Sequence, residues 1–375
     1  VEAARQAELP LPAAAVLFLQ QGLPWEAAGL LADWQPYLDD PAWGIQATEQ
    51  AEFYHAFWDA GVVEGRRLGI PALRSAQFLY YNRTWAGELG FKTPPADPQG
   101  FADQACAAAA ALRRDDSTEN DAFGGWVANA NDAAALGWIY AFGGQVYDGK
   151  QYSFNMPQVE QALTFQRELY DGACAWFDES GSAAQAFAQR QALFASGSLM
   201  GIPEQAEALR QAGRGDEWTV IAFPSPEAAP AITGYGPDFL LFQSSPEQQL
   251  AAWLFVRWLS QPAQHARLVE AGGSFPLQAA ELEPLTGYRA RYPAYEAALG
   301  LIPAARSEPA AASWETVRWV LGDAATQLFR PYFSAEQIPN MLAYLERTVQ
   351  DILAGPQDAG VWSTSTPTLG PSPTP

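Results

Sequence analysis

Aromatic side chains at predicted turns are the residues of this sequence best suited to ligand recognition. Tyr235 lies between Gly234 and Gly236, Phe275 follows a Gly-Gly-Ser turn, and Trp126 follows a Gly-Gly pair. A sugar presents apolar C–H faces and hydroxyl edges, so a sugar site needs flat rings for the faces and polar groups for the edges. These rings indicate a saccharide site. The alternative is that they only pack a junction between domains.

Polar side chains close to the same turns can supply the hydrogen bonds. Gln77 lies in a predicted strand, and Asp238 follows the turn that carries Tyr235. Asn131 and Asp132 come directly before a predicted helix. Amide and carboxylate groups can bond to sugar hydroxyl groups. We therefore expect these four side chains to contribute to the site.

No set of residues composes a catalytic site or a metal site. The G-x-S-x-G, H-E-x-x-H and P-loop motifs are absent, and the two histidines, His55 and His265, stand far apart. The acidic segment from Asp115 to Asp121 does not have the spacing of a calcium loop. The sequence predicts a protein that is not an enzyme and that carries no cofactor, with a carbohydrate-active enzyme as the weaker alternative.

The composition excludes several classes of partner. Among 375 residues the formal net charge is -21, which argues against binding to nucleic acid or to an anionic membrane through basic patches. Hydrophobic residues make up 49% and charged residues 17%, so we expect a globular chain with two domains. No apolar run reaches the length of a membrane span, and residues 1–21 lack the pattern of a signal peptide.

The segment from Gly69 to Phe91 is a candidate passage between domains. Its apolar and aromatic residues 76–81 predict a buried strand, and a short helix and a Pro-Pro break follow. We also predict one long helix over Ile45–Arg67 and a helix over Leu250–Leu259. The apolar side of the second helix would place Leu250, Trp253, Leu254 and Trp258 in the core.

Four segments in order resemble the family 1 extracellular solute-binding proteins of ABC importers, which include the maltose-binding and glycerol-3-phosphate-binding proteins. They are the GIP…LYYN…PP run of residues 69–95, FASGSLMGIP of residues 194–203, TGYGP of residues 233–237 and GGSFPL of residues 272–277. Each is mostly Gly, Pro and aromatic residues, so the resemblance rests on their order and spacing over most of the chain.

The resemblance implies an α/β fold of the periplasmic-binding-protein type II, with two lobes, each on a mostly parallel sheet. Three crossings would join the lobes near residues 80–84, 231–237 and 274–277. Lobe I would comprise residues 1–82 and 237–275, without the first strand and helix of the family. Lobe II would comprise residues 83–236 and 276–356. Residues 357–375, rich in Pro, Ser and Thr, would form a disordered tail.

The resemblance also implies where the ligand lies. Positions similar to Trp126, Gly234, Tyr235, Gly236 and Phe275 line the cleft in the family, and the loop around Ser313 and Trp314 is similar to its last cleft-facing loop. This chain has Ala and Ser where glycerol-3-phosphate binders carry an arginine in that loop. A neutral saccharide is therefore favoured over glycerol-3-phosphate or another small solute.

The family further implies a partner and a location. The closed, ligand-bound monomer would dock on the permease of an ABC importer. The protein would be extracytoplasmic, either periplasmic or anchored to the cell surface by a lipid on its precursor.

The cysteines Cys106 and Cys174 are the only two in the sequence. They are either two buried thiols or one disulfide. The even count and the extracytoplasmic location implied by the family favour the disulfide.

Overall fold

The computed structural model describes residues 11–129 and 131–355, and the predicted tail lies outside them. Thirteen strands are formed by β1 Ala14–Leu17, β2 Leu31–Ala32, β3 Val62–Val63, β4 Arg66–Arg67, β5 Gly69–Pro71, β6 Ser75–Asn82, β7 Trp126–Ala128, β8 Ala175–Phe177, β9 Phe194–Ser198, β10 Trp218–Ile221, β11 Ile232–Tyr235, β12 Asp238–Phe242 and β13 Ala305–Ser307 within those residues.

Sixteen α-helices lie in the same described residues. They are α1 Leu19–Ala27, α2 Gln35–Leu38, α3 Ala47–Gln50, α4 His55–Trp58, α5 Arg83–Glu88, α6 Pro98–Leu112, α7 Asp132–Ala141, α8 Pro157–Asp171, α9 Ala183–Ala188, α10 Ile202–Ala212, α11 Pro246–Leu259, α12 Pro262–Gly272, α13 Thr286–Arg291, α14 Pro293–Leu299, α15 Trp314–Gln327 and α16 Ile338–Ala354. No helix in the described part of the chain is both long and apolar enough for a transmembrane span.

The smaller sheet has four strands around β12. Strand β1 pairs with one edge of β12, and β2 and β5 pair with the other edge. All of these pairs are antiparallel. Each residue of β12, with the sequence DFLLF, is buried, as a short apolar run in a central strand should be.

The larger sheet has seven strands in the order β13-β11-β6-β9-β7-β8, with β10 also paired to β6. Strand β6 is antiparallel to β9, β10 and β11, whereas β7 is parallel to β8 and β9. The α/β fold with two sheets agrees with the prediction, but the expectation of mostly parallel sheets is wrong. Whether two paired strands run parallel or antiparallel depends on which distant strands become neighbours. The residue pattern of one strand does not contain that information.

The pairing of β6 determines where the chain first passes from one sheet to the other. All eight residues of β6 are buried in the larger sheet, while β5 belongs to the smaller one. The first crossing, meaning a segment that passes from one sheet to the other, therefore lies between Pro71 and Ser75 and not near residues 80–84. The second lies at Gly236 and Pro237, between β11 and β12.

The long helix predicted over Ile45–Arg67 is not formed. The structure has two single-turn helices there, α3 and α4, followed by the β3–β4 hairpin. The hairpin turn places Glu64 at φ 49° and Gly65 at φ 79°, the left-handed conformation that tight hairpins require. A helix cannot continue through two such residues.

Helix α11 buries a narrower face than its sequence predicts. Trp253 is buried, but Leu254 and Trp258 are exposed, with 48% of Trp258 accessible. The helix packs against β12 along one side. Of the four apolar residues predicted for the core, Trp253 is buried, Leu250 is partly buried, and the other two are exposed. Apolar residues on an exposed helix face are normal when taken singly.

A disulfide joins Cys106 on α6 to Cys174, which lies between α8 and β8. The two Cα atoms are 4.4 Å apart. The bond ties helix α6 to the start of β8, the edge strand of the larger sheet, and Cys174 itself is buried.

Candidate functional site

Arg74 joins the two crossings to the loop that carries Phe275. Its carbonyl oxygen accepts the N–H of Phe275 at 2.7 Å. Its guanidinium donates to the carbonyl oxygens of Gly236 at 3.2 Å and Pro237 at 2.8 Å, and to the carboxylate of Asp238 at 2.5 Å. The side chains of Arg74 and Asp238 are both almost fully buried. The ion pair of Arg74 and Asp238 therefore links the two crossings, and a backbone hydrogen bond links Arg74 to the loop of Phe275.

Gly236 is required by the close approach of these segments. A Cβ atom at this position would lie 2.2 Å from the carbonyl oxygen of Leu73. That distance is far below van der Waals contact, so any larger residue would push the first and second crossings apart.

A narrow cavity lies between elements of the two sheets, next to this junction. Its volume is about 50 Å³. The smaller-sheet side contributes the start of α1, including Gln20, and the larger-sheet side contributes Tyr235 and Glu308. Across the same cleft the amide of Gln21 donates to the carboxylate of Glu315 at 3.0 Å. The two sides are thus in contact, which accounts for the small volume.

A larger polar cavity of about 290 Å³ continues along the larger sheet. Tyr235 lines both cavities, so they form one site. The polar side chains of the larger cavity are Gln77, Tyr80, Asn129, Asn131, Ser196, Ser198, Glu204, Gln205 and Tyr235. Their elements explain the grouping, because β6, β9 and β11 are adjacent and α10 begins beside them.

Three buried amide atoms of this site have no hydrogen-bond partner among the described residues. They are Nε2 of Gln20 in the narrow cavity, and Oδ1 of Asn129 and Oε1 of Gln205 in the larger one. A buried polar atom without a partner costs free energy unless something else satisfies it. The residues that carry these two acceptors and one donor line the cavities, and amide groups form hydrogen bonds with hydroxyl groups.

The charges at the cleft are predominantly negative. Burial raises the pKa of Glu308 to about 7, although the nearby Arg318 lowers it. Arg318 lies 3.1 Å from the carboxylate of Asp132 and 4.0 Å from that of Glu308. Burial also raises the pKa of Asp238, against the effect of Arg74. Both arginines are therefore already engaged by carboxylates.

The raised pKa of Glu308 predicts a pH-dependent stability. Between its unfolded value, 4.5, and its folded value, about 7, the folded chain binds a proton that the unfolded chain has lost. The contribution of Glu308 to the free energy of unfolding should therefore fall by about 3 kcal/mol as the pH rises from 4 to 8. Glu308→Gln, which stays neutral, should remove most of this decrease, as measured by urea denaturation at several pH values.

The exposed Glu168→Gln on α8 is the matched control for that experiment. It should retain the pH dependence of the unsubstituted protein. An unchanged slope in Glu308→Gln would contradict the assignment to Glu308.

Most of the polar and glycine positions predicted for the site lie at these cavities. Gln77 and Asn131 line the larger cavity, and Gly234, Gly236 and Asp238 line the narrow one. The Oδ1 atom of Asn131 accepts the N–H of Ala134, so it also caps helix α7. Asp132 lines neither cavity and is linked to Glu308 through Arg318.

Of the four rings predicted to stack on a sugar, only Tyr235 lines the cavities. Phe275 is fully buried and stacks on Phe57, with ring centroids 5.4 Å apart. Trp314 is 1% exposed and stacks on Tyr152. Neither ring has a free face, so the expectation that they stack on a ligand is corrected for this structure.

Trp126 is a core residue as well, and its role is indirect. It is 2% exposed and packs edge-on against Phe101, Trp138 and Phe329. Its Nε1 donates to Oγ of Ser196 at 3.3 Å, and Ser196 lines the larger cavity. Trp126 therefore supports the cavity wall without presenting a ring face.

Several residues of the site were missed by the sequence analysis. They are Gln20, Arg74, Tyr80, Asn129, Ser196, Ser198, Glu204, Gln205, Glu308 and Arg318. One signal was available: Ser196 and Ser198 lie within the segment whose resemblance to the family was noted. Gln20 and Glu308 come from distant parts of the chain, and nothing local marks them.

The comparisons with known proteins agree with this architecture. The sequence model of the family described as bacterial extracellular solute-binding protein matches residues 3–297. Curated relatives from Brucella abortus and Brucella suis, described as binding proteins, are 23% identical over 321 residues, which is 83% of this chain and 71% of each relative.

Solved structures with the same fold include two from other bacteria. The sugar-binding protein MalE from Xanthomonas citri is similar with a TM-score of 0.79 and 20% identity, over 94% of this chain and 86% of that one. UgpB from Mycobacterium tuberculosis, in complex with glycerophosphocholine, has a TM-score of 0.72 and 17% identity, over 94% and 86% of the two chains. At this identity the likeness establishes the type II periplasmic-binding-protein fold.

Proposed function

The chain belongs to the family of bacterial extracellular solute-binding proteins, and on that premise we propose that it binds a mono- or oligosaccharide for an ABC importer. The family consists of binding proteins and not enzymes, and membership implies an extracytoplasmic location. The finer assignments, to a saccharide, to a permease partner, to a monomer and to a lipid-anchored precursor, are our proposal.

The observation that carries the proposal is the polar composition of the cleft. Its unpartnered amide atoms on Gln20, Asn129 and Gln205 match the donors and acceptors of sugar hydroxyl groups. Tyr235 lines both cavities and can place its ring against the apolar face of a sugar. An apolar ligand would leave these polar atoms unsatisfied.

The charges of the site favour a neutral ligand over a phosphorylated one. Glu204 and Glu308 line the cavities, and the nearby Arg74 and Arg318 are already held by Asp238 and Asp132. A phosphate would need arginines that are free to form two hydrogen bonds each. Glycerol-3-phosphate and its esters are therefore less favoured as ligands than a neutral saccharide.

We propose that the ligand acts by closing two lobes. Lobe I would comprise residues 11–74 and 237–275, and lobe II residues 75–236 and 276–355. A ligand that touches Gln20 on one side and Tyr235 on the other contacts both only when the lobes are together, so it favours the closed state. The Gln21–Glu315 hydrogen bond would break on opening.

A titration against two sets of compounds tests the proposed function. Calorimetry and tryptophan fluorescence would be recorded with neutral mono- and oligosaccharides, and separately with glycerol-3-phosphate and glycerophosphocholine. We expect saturable binding of at least one saccharide. Binding of the phosphorylated compounds alone would favour the second candidate, and cleavage of a glycan on long incubation would contradict the assignment as a binding protein.

Tyr235→Ala is expected to weaken saccharide binding by roughly tenfold to a hundredfold, because it removes the one ring shared by both cavities. The measurement is the dissociation constant by calorimetry with the saccharide found above. Tyr332→Ala, at a tyrosine that is 77% exposed, is the matched control and should leave the constant unchanged. Equal affinities of the two variants would exclude Tyr235 from the site.

A further inference from the structure

A third cavity, separate from the cleft, has the properties of a binding site. Its volume is about 810 Å³, and none of its lining residues lines either cavity of the cleft. Pockets for small ligands usually fall between about 300 and 1,000 Å³. We call it the arginine pocket, after Arg267 and Arg291 in its wall.

The wall of the arginine pocket comes from both parts of the molecule. Met200 follows β9 of the larger sheet. Arg267 lies on α12, which packs through α11 against β12 of the smaller sheet. Arg291 and Tyr288 lie on α13, and Tyr292 follows it. An occupant would therefore contact elements associated with both sheets.

The two arginines are available to a ligand. Within residues 11–129 and 131–355, Arg267 has only a long contact, 3.4 Å, to the amide oxygen of Gln264, and Arg291 has no hydrogen-bond or ion-pair partner. Eight other arginines of the described chain contact carboxylates, namely Arg66, Arg74, Arg167, Arg190, Arg210, Arg289, Arg318 and Arg330. Arg267 and Arg291 make no such contact in the described residues, and both line the same cavity.

One acidic residue, Glu270, also lines the pocket, but it makes no ion pair with either arginine in the described residues. The lining therefore carries two positive charges and one negative charge. An anionic group can bind at this wall, since a guanidinium forms paired hydrogen bonds with a carboxylate.

The remaining lining is aromatic and apolar. The rings of Tyr288 and Tyr292 have centroids 4.9 Å apart, and the side chain of Met200 is 53% exposed beside them. Tyr288 is only 9% exposed, and its hydroxyl oxygen has no hydrogen-bond partner in the described part of the chain. Flat apolar groups pack well against such rings and against a thioether.

From this combination we propose that the arginine pocket binds a small aromatic carboxylate. The carboxylate pairs with Arg267 and Arg291, and the aromatic body packs against Tyr292 and Met200. The pocket shares no lining residue with the saccharide cleft, so binding there can be tested whether or not the proposed function is correct.

Benzoate is the probe for the test, with benzyl alcohol as its neutral counterpart and inorganic phosphate as an anion without a ring. Calorimetry and ligand-observed NMR on the full chain should give saturable binding of benzoate. Benzyl alcohol and phosphate should each bind roughly tenfold more weakly or not at all. Equal binding of benzyl alcohol would overturn the role of the charge, and equal binding of phosphate would overturn the role of the ring.

Variants locate the binding. Arg267→Gln/Arg291→Gln should weaken benzoate by roughly tenfold or more, and Tyr292→Ala should weaken it as well. Arg347→Gln, at an exposed arginine on α16, is the matched control and should bind as the unsubstituted protein does. The substituted residues are exposed or half-exposed, so the variants should fold. Unchanged benzoate affinity in the double variant, or no saturable binding by the unsubstituted protein, would overturn the proposal.

Discussion

Asp238→Ala is expected to lower the free energy of unfolding by about 3–5 kcal/mol. The substitution leaves the buried guanidinium of Arg74 without its carboxylate, and removing one partner of a buried ion pair is far more costly than removing both. Arg74 also donates to the carbonyl oxygens of Gly236 and Pro237, so the crossings should loosen together. Urea denaturation followed by circular dichroism measures the change.

Two comparisons separate the buried charge from a general effect of substitution. Arg74→Met/Asp238→Ala removes both charges, and it should recover part of the stability lost in Asp238→Ala alone. Glu207→Ala breaks the exposed Arg210–Glu207 pair and should change the stability little, because solvent screens this pair. If Asp238→Ala were no more destabilising than Glu207→Ala, the pair would not hold the crossings.

The backbone of the site was more predictable than its side chains. The resemblance of the TGYGP segment to the family led us to expect a break near residues 231–237, and β11 ends at Tyr235 and β12 begins at Asp238. The ring of Phe275 could not be placed in the same way. The Gly-Gly-Ser turn before Phe275 ends a helix at Gly272. The side chain of Phe275, however, lies in the core against Phe57, a residue far away in the sequence. Turn chemistry is local, whereas burial is decided by distant contacts.

The same distinction explains Trp126 and Gln20. Trp126 follows Gly124 and Gly125 and was expected on a loop, yet it begins β7, and the rings of Phe101, Trp138 and Phe329 pack against it. Gln20 was assigned to no site because no motif lies beside it in the sequence. Its importance arises from the contact between the start of α1 and the larger lobe, which no spacing within the sequence encodes.

The disulfide is expected to contribute about 4 kcal/mol to stability. Cys106 and Cys174 are 68 positions apart, and in the chain-entropy model a loop of this length lowers the conformational freedom of the unfolded chain by that amount. Cys106→Ser/Cys174→Ser should therefore unfold at a distinctly lower urea concentration. The same result is expected when the unsubstituted protein is denatured in the presence of a reductant.

The response to reductant identifies the bond as the cause. The double variant should be insensitive to reductant, whereas the unsubstituted protein should lose stability until it approaches the variant. Saccharide affinity should change little, because neither cysteine lines the cavities of the cleft. The bond lies next to β7, where the N–H of Trp126 donates to the carbonyl oxygen of Cys174 at 3.0 Å. Equal stability of the two proteins under oxidising conditions would show that the unfolded chain gains little freedom when the bond is removed, and the entropic account would be wrong.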